Sequence, residues 1–262
     1  MNDLDPPPPQ EWASPPTSLA IGPDELHVWR VPLAARPGTA HSLAVLLSPD
    51  ERERAARFVL SADRTRFIVA RAALRQLLGA YLGVAPTALR LAYSALGKPY
   101  LVEPVASLAF NLAHSGELAL VAVAWERRVG VDVELMRDDL QYMTMMTEIF
   151  TAREQQALVA LPEGQRLRAF FDGWTRKEAY LKARGDGLSL PPTAIEIDMT
   201  LGAREALRLP PDDAGGPWSL VSLDPEAGYT AAVAIEGEPA ALRLYAAPSV
   251  LSPTSCSERS AQ

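Results

Sequence analysis

Cysteine and histidine are scarce in this sequence of 262 residues, which contains one cysteine, Cys256, and three histidines. A single thiol cannot form an internal disulfide, and it cannot by itself build a cysteine-based zinc site. The N-terminal stretch MNDLDPPPPQ lacks the basic and apolar segments of a signal peptide, and the apolar run LALVAVAW is far too short to span a bilayer. We therefore expect a cytoplasmic protein with no membrane partner.

Positive charge is also in short supply, because 25 lysine and arginine residues face 32 aspartate and glutamate residues and leave a net charge of −7. This balance argues against binding to nucleic acid through the overall field, although it is compatible with a local basic cleft for phosphates. Hydrophobic residues make up 48% and charged residues 22% of the chain, which is typical of a globular protein. The fold must therefore be sought in the pattern.

The two ends of the chain differ from the middle. Residues 1–18 are rich in proline and polar groups, and residues 248–262 are small and polar, so we expect disordered tails at both ends. Between them, the segment from Ser48 to Gly83 has the pattern of one long helix, with Ser48 as N-cap and Glu51 completing a capping box. Short strands are predicted at KPYLV, SLAFNLAH and LALVAVAW.

The pattern then starts again, and we interpret this as an internal duplication. An interval of 103 residues separates several similar positions: His27 and Gly130, Ser48 and Thr151, Glu51 and Glu154, Phe67 and Phe170, and Leu78 and Leu181. Gly116 and Gly228 are similarly related at 112 residues. We predict an α+β pseudo-dimer with halves at 19–125 and 126–247, each packing a long helix on a small antiparallel sheet. A cleft is expected at their junction, and the internal interface favours a monomer.

Two carboxylates interrupt the apolar strand RVGVDVELM. The period of two in a strand places Val131 and Val133 on one face and Asp132 and Glu134 on the other. Neighbouring carboxylates repel each other unless a cation or several donors lie between them, and oxygen ligands suit Mg²⁺, or Mn²⁺ as an alternative. A solvated strand face is the competing interpretation, and on these two residues alone it is favoured.

The second predicted long helix carries the stretch WTRKEAYLK. Glu178 and Lys182 are four residues apart and share a helix face, with Lys177 close by. An exposed ion pair is the ordinary interpretation of this spacing. The first half has Trp29 and Val31 where the second half has its two strand carboxylates, so we expect one site per chain.

Together, these stretches resemble the Sfp-type 4′-phosphopantetheinyl transferases. The matching motifs, in consistent order between about Ser48 and Pro191, are GKPYL (97–101), FNLAHSG (110–116), GVDVE (130–134) and WTRKEAYLK (174–182). The resemblance implies a pseudo-dimer of two α+β halves, as the internal repeat predicts. It also implies transfer of the phosphopantetheine arm of coenzyme A to a serine of an acyl or peptidyl carrier protein, with release of adenosine 3′,5′-bisphosphate.

The resemblance implies a Mg²⁺ ion held by Asp132, Glu134 and Glu178. Glu178 is also a candidate general base toward the carrier serine, directly or through a water, and the sequence leaves base and ligand roles open. Lys182 is expected to contact the phosphate whose charge grows in the transition state. Lys177, one position off that helix face, is a further candidate for a phosphate contact.

Contacts to coenzyme A are implied for residues in three stretches: Arg66, Lys98, Pro99, His114 and Ser115. Two departures from the family pattern weaken this set. Ala113 stands where the family commonly has serine, and Glu51 and Arg54 stand where some members have two lysines. We therefore include Arg66, treat Arg54 as a secondary candidate and leave Glu51 out.

A methionine cluster, Met143, Met145 and Met146, lies between the acidic strand and the second helix. Methionine clusters usually fill cores, but flexible thioethers also suit surfaces that accept several partners. In the resembling family this region lies beside the carrier-binding surface, so we expect some of these methionines to contact the carrier.

Two other classes of function remain open. A Mg²⁺-dependent hydrolase of nucleotide diphosphates, acting on coenzyme A with water, could use the same three carboxylates, although the sequence lacks a glutamate-rich hydrolase helix of the kind REUxEE. A non-catalytic coenzyme A or carrier-binding module would tolerate loss of the carboxylates, whereas this sequence retains all three beside a lysine.

Overall fold

The computed structural model describes residues 10–138, 142–185, 190–199 and 217–248. The strands are β1 Glu25–Pro32, β2 Arg90–Tyr93, β3 Pro99–Glu103, β4 Leu108–Ser115, β5 Leu118–Trp125, β6 Val129–Leu135, β7 Trp218–Leu223, β8 Tyr229–Glu236 and β9 Ala241–Ala246. The helices are α1 Thr39–Leu43, α2 Pro49–Ala56, α3 Ser61–Leu82, α4 Tyr142–Ile149, α5 Ala152–Ala160 and α6 Glu163–Arg184. No helix in these ranges is long and apolar enough to cross a bilayer.

Two sheets show the predicted duplication. The first has the strand order β4-β5-β1-β9, the second has the order β6-β8-β7, and β2 and β3 form a separate hairpin. Strands β1, β5 and β4 are linked by antiparallel pairing, as are β6, β8 and β7. Gly116 and Gly228 both have positive φ, at 54° and 83°, in the turns before β5 and β8. The prediction of an α+β pseudo-dimer is confirmed.

The prediction of one helix from Ser48 to Gly83 is wrong, because the chain turns after α2 and starts again at α3. The capping box at Ser48 and Glu51 is present. The turn lets Glu51 reach Arg75, whose Nε lies 2.6 Å from its carboxylate. In a continuous helix, at about 1.5 Å per residue, these two residues would lie roughly 36 Å apart. The buried ion pair therefore requires the break.

Three clusters of buried apolar side chains separate four layers. Trp29 and Leu74 belong to the cluster between α3 and the first sheet. Leu120 and Val131 belong to the cluster between the two sheets. Phe170 belongs to the cluster between the second sheet and α6. The two sheets therefore form the pseudo-dimer interface, and the long helices cover its outer faces.

Strand β9 crosses the predicted boundary between the halves. It lies within residues 126–247, yet it pairs in parallel with β1 and extends the first sheet. At the other edge of the first sheet, β4 packs against β6, which also belongs to the second half. Residues of the second half therefore contact the first sheet at both of its edges. The boundary between the two halves at residues 125 and 126 therefore remains a prediction.

Part of the segment predicted as an N-terminal tail makes defined contacts. The amide of Gln10 donates to Ser222 O at 3.1 Å and accepts from Asp224 N at 2.9 Å. The indole of Trp12 donates to Asp224 O at 3.2 Å, and Ala13 bridges to Tyr245 of β9. These backbone groups and an apolar indole give residues 10–13 partners that composition alone does not reveal. Residues 1–9 and 249–262 of the predicted tails lie outside the described residues.

Candidate active site

The site begins where α6 lies directly on β6. A Cβ atom built on Gly130 would lie 2.2 Å from Ala179 O and 2.3 Å from Ala183 N, so only glycine fits there. This close approach brings the last turns of α6 over the face of β6 that carries the two carboxylates. Val131 and Val133 face the other way, into the core between the sheets, as the strand period predicts.

A buried carboxylate and a lysine meet in this space. Lys182 Nζ donates to Asp132 Oδ1 at 2.6 Å. The second carboxylate oxygen, Asp132 Oδ2, is buried and has no hydrogen-bond partner. Asp132 is 3% exposed, which excludes the solvated strand face as its explanation.

Burial disfavours charge on both strand carboxylates. Loss of solvation raises the pKa of Asp132 to about 7, although Lys182 acts in the opposite direction. Burial also raises the pKa of Glu134, and a hydrogen bond from Ser115 Oγ at 2.8 Å partly offsets it. Burial lowers the pKa of Lys182, but the negative charges of Asp132 and its acidic neighbours outweigh it and raise that pKa.

The acidic centre fits a divalent cation in its chemistry. A buried carboxylate oxygen without a partner and two carboxyl groups with raised pKa values would both be stabilised by a hard cation. Glu178, half-buried on α6, also raises the pKa of Asp132 through its charge. Within the described residues, however, no three His, Cys, Asp or Glu side chains stand close enough together to hold a metal as they are.

A cleft of about 330 Å³ opens beside this centre, between the two halves. Its polar lining includes Glu178 and Lys182 from α6 together with Asn111 from β4. Pro99, for which the family resemblance implies a contact with coenzyme A, also lines this cleft. Glu178 and Lys182 do share one helix face, and that face looks into the junction.

His114 and Arg66 extend the site from Lys182 into the first half. His114, at the exposed end of β4, has a pKa lowered by burial of its ring and by the positive charges of Lys182 and Arg66. Arg66 donates from Nε to Glu117 at 2.8 Å and from Nη1 to Asp63 at 2.9 Å. His114 and Arg66 therefore lie within electrostatic reach of each other, while Arg66 is held by two carboxylates.

Lys177 lies elsewhere. Its side chain is fully buried, and its ammonium donates to Glu154 at 2.6 Å and to three backbone carbonyl groups, those of Ile149, Pro192 and Ile195. One step along a helix turns a side chain by about 100°, which directs Lys177 away from the face shared by Glu178 and Lys182. Lys177 drops out of the candidate phosphate contacts.

Lys98 and Ser115 are at the junction, but their polar atoms already have protein partners. Lys98 Nζ donates to the carbonyl oxygens of Val129, Lys182 and Ala183 at 3.1, 2.6 and 3.0 Å. Burial lowers the pKa of Lys98 to about 8. Ser115 Oγ accepts from Leu135 N at 3.1 Å while it donates to Glu134. Lys98 lines the cleft, but its ammonium is engaged with backbone carbonyl groups, and the hydroxyl of Ser115 links β4 to β6.

The structure also shows the surroundings of Glu51 and Arg54, the two positions on α2 at which the sequence departs from the family pattern. Glu51 is buried against Arg75, which supports leaving it out of the ligand contacts. Arg54 stacks over the ring of Phe67 at 5.4 Å and lines an open cleft of about 670 Å³ with Tyr93. It remains a secondary candidate.

Sequence reasoning missed two residues of the site. Asn111 Oδ1 accepts from Val131 N at 2.9 Å, which fixes β4 to β6 near Asp132. Glu117 is the main partner of Arg66. Asn111 stands inside the motif FNLAHSG and was detectable there, whereas Glu117 follows it in a turn and carries no signal of its own.

The geometry defines a class of site, in which Lys182 contacts a buried acidic strand residue, Asp132, and lines with Glu178 a cleft between two similar halves. Comparison with known proteins names the family. Residues 36–126 match the family described as "4'-phosphopantetheinyl transferase, N-terminal", and residues 128–234 match the "4'-phosphopantetheinyl transferase superfamily". The chain belongs to the 4′-phosphopantetheinyl transferase superfamily.

Individual relatives agree with this assignment. The chain is 40% identical over 228 residues to the 4'-phosphopantetheinyl transferase HetI of Nostoc sp., covering 86% of this chain and 94% of the relative. It is 26% identical over 202 residues to a 4'-phosphopantetheinyl transferase of Bacillus subtilis, covering 77% and 87%. It is 28% identical over 166 residues to the human L-aminoadipate-semialdehyde dehydrogenase-phosphopantetheinyl transferase, covering 59% and 53%. The predicted phosphopantetheinyl transferase activity is confirmed, and the hydrolase alternative receives no support.

Proposed function

We propose that this transferase moves the phosphopantetheine arm of coenzyme A onto a serine of an acyl or peptidyl carrier protein and releases adenosine 3′,5′-bisphosphate. We further propose a Mg²⁺-dependent, monomeric, cytoplasmic enzyme. The observation that carries the proposal is the contact between Lys182 and Asp132 beside Glu178, in the cleft between the halves. Attack on a diphosphate is favoured by cationic donors directed at the phosphate oxygens and by carboxylates that can hold a metal or accept a proton.

Asp132, Glu134 and Glu178 would hold the metal, and Mn²⁺ would suit the same oxygen ligands. Support comes from the unpartnered Asp132 Oδ2 and from the raised pKa values of both strand carboxyl groups. When bound, the metal neutralises charge on the diphosphate oxygens.

The other roles belong to side chains of this protein. The carrier serine Oγ forms a bond to the phosphorus that carries the pantetheine arm, and the bond from that phosphorus to the bridging oxygen breaks. Glu178 accepts the serine proton, directly or through a water. Lys182 donates to the phosphate oxygens whose charge grows. His114 and Arg66 bind phosphate on the adenosine side, and Pro99 lines the cleft.

The carrier contact is proposed for the exposed part of the methionine cluster. Met143 is 42% exposed on α4, whereas Met145 and Met146 pack against the core of the second half. Met143→Ser should therefore raise KM for the carrier with little effect on stability. Unaltered KM values in this folded variant would count against the contact.

Intact-protein mass spectrometry of an apo carrier tests the function directly. Carrier, coenzyme A, MgCl₂ and this protein should yield a carrier heavier by about 340 Da, and EDTA, Asp132→Ala or Glu178→Ala should abolish the product. Hydrolysis of coenzyme A with several apo carriers left unmodified would favour a hydrolase instead. Binding of coenzyme A without any reaction would favour a non-catalytic module.

A further inference from the structure

Lys98, in the first half of the chain, forms hydrogen bonds with the end of α6, the helix that carries Glu178 and Lys182. An ammonium has three N–H donors, and all three of Lys98 have backbone carbonyl acceptors. Two acceptors, Lys182 O and Ala183 O, belong to the last turn of α6. The last carbonyl groups of a helix have no partners within the helix, and Lys98 donates to two of them.

The hairpin that carries Lys98 is built to fix its position. Lys98 N donates to Ser94 Oγ at 3.1 Å, and Ser94 N donates to Lys98 O at 2.9 Å. Gly97 has φ of 82°, which the tight turn between these residues requires. The stem of Lys98 packs against the end of the helix, where a Cβ on Gly185 would lie 3.6 Å from Lys98 Cδ. The side chain thus reaches α6 from a rigid base.

The three acceptors connect Lys98 to both partners of the acidic centre. Lys98 bonds the main-chain carbonyl of Lys182, whose side chain bonds Asp132. It also bonds the carbonyl of Val129, three residues before Asp132 on β6. Because Gly130 leaves no spare room between α6 and β6, a shift of the helix end would displace Lys182 relative to Asp132.

We propose that Lys98 is a positioning residue, a strut from the first half that sets the place of Lys182 over Asp132 and does not itself bind phosphate. This inference rests on the proposed function, since it concerns the same reaction. A phosphate contact would require Lys98 to release the carbonyl groups of Lys182 and Ala183, for which the described part of the chain shows no other donor. Loss of the strut should therefore reduce turnover more than affinity for coenzyme A.

Chemical rescue separates the two roles. Cys256→Ser provides a cysteine-free parent, and Lys98→Cys in that parent can be alkylated with 2-bromoethylamine, which restores an ammonium at nearly lysine length. Alkylation with 2-bromoethanol gives a neutral side chain of the same length. Arg90→Met is the matched control, because Arg90 is an exposed cation of the same hairpin that pairs with Glu103.

We expect Lys98→Cys to lower kcat by about tenfold or more while KM for coenzyme A stays within about twofold. The aminoethyl adduct should restore most of kcat, whereas the hydroxyethyl adduct should keep the low kcat of Lys98→Cys. The Arg90→Met control should keep the kcat of the parent. A raised KM with unchanged kcat, equal rescue by both adducts, or no effect at all would each overturn the strut.

Amide hydrogen exchange gives a readout that does not depend on activity. Peptides covering residues 178–185 should exchange faster in Lys98→Cys and in its hydroxyethyl adduct than in the parent, and the aminoethyl adduct should restore protection. Unchanged exchange would overturn the strut. A parent that fails to modify any apo carrier would contradict the proposed function instead, and exchange would still decide the role of Lys98.

Discussion

Lys177 makes in the second half the contacts that Arg75 makes in the first, although the interval of 103 residues pairs Arg75 with Glu178. Each cation lies 2.6 Å from the capping-box glutamate of the preceding short helix, Glu154 or Glu51. Each also donates to backbone carbonyl groups of the turn after its own long helix: Pro192 and Ile195 for Lys177, Pro86 and Leu89 for Arg75. The duplicated halves thus share a buried ion pair, Lys177 with Glu154 and Arg75 with Glu51, as well as a fold.

Replacement of Lys177 by methionine should therefore affect stability and not ligand binding. Removing one member of a buried pair leaves the other charge uncompensated, so we expect a loss of about 3–5 kcal/mol in unfolding free energy. Urea denaturation measures this loss. The double variant Lys177→Met/Glu154→Gln should recover part of it, whereas a stable Lys177→Met variant with a raised KM for coenzyme A would return Lys177 to the site.

The raised pKa of Asp132 predicts a pH dependence of stability in the metal-free protein. The folded-state value of about 7 exceeds the ordinary value, so the folded protein holds the proton more tightly than the unfolded chain. Stability from this group is complete below about pH 4 and is lost as pH rises through 7. Between pH 5 and pH 8, in EDTA, the wild type should lose about 2–3 kcal/mol relative to Asp132→Asn.

Denaturation midpoints of both proteins at several pH values test this expectation. A constant difference between them across the range would contradict it. Mg²⁺ should stabilise the wild type more at pH 8 than at pH 6, because the carboxylate must be ionised to bind the metal.

Glu117 should weaken coenzyme A binding by occupying Arg66. In Glu117→Gln the guanidinium loses the negative charge of its main partner and keeps the ion pair with Asp63, so it is freer to meet a phosphate. Exposed ion pairs contribute about 0.2–1 kcal/mol, so KM for coenzyme A should fall by up to about fivefold. Glu103→Gln, which removes an exposed carboxylate of the distant hairpin, is the control. A KM that rises in Glu117→Gln would show that Glu117 positions Arg66 instead.

Two glycines of the second half should respond differently to alanine. At Gly130 the added methyl would meet backbone atoms of α6 at 2.2 Å, whereas at Gly164 in the first turn of α6 it would meet nothing within 4 Å. Gly130→Ala should lose several kcal/mol or fail to fold, because backbone cannot move aside cheaply. Gly164→Ala should be neutral or more stable by up to about 1 kcal/mol, from helix propensity. Thermal denaturation compares them, and similar behaviour of the two would refute the close approach.

The sequence was sufficient for the duplication and for the acidic centre, because both depend on local periodicity. Strand alternation placed Asp132 and Glu134 on one face, and helical spacing placed Glu178 and Lys182 together. The sequence also repeats the stretches PTAL (86–89) and PTAI (192–195), whose carbonyl groups accept hydrogen bonds from Arg75 and Lys177. The function of this repeat becomes clear only from the buried ion pairs in the structure.

Tertiary structure decided which charged side chains remain available to a ligand. Lys98, Lys177 and Lys182 are all lysines near motifs of the family, and no local pattern distinguishes them. Their roles depend on which carbonyl and carboxylate groups surround each ammonium, and those groups come from residues 15 to 85 positions away along the chain. The sequence by itself thus determined the architecture and the acidic strand, while long-range hydrogen bonding, which periodicity does not encode, decided which cations hold the protein together and which face the cleft.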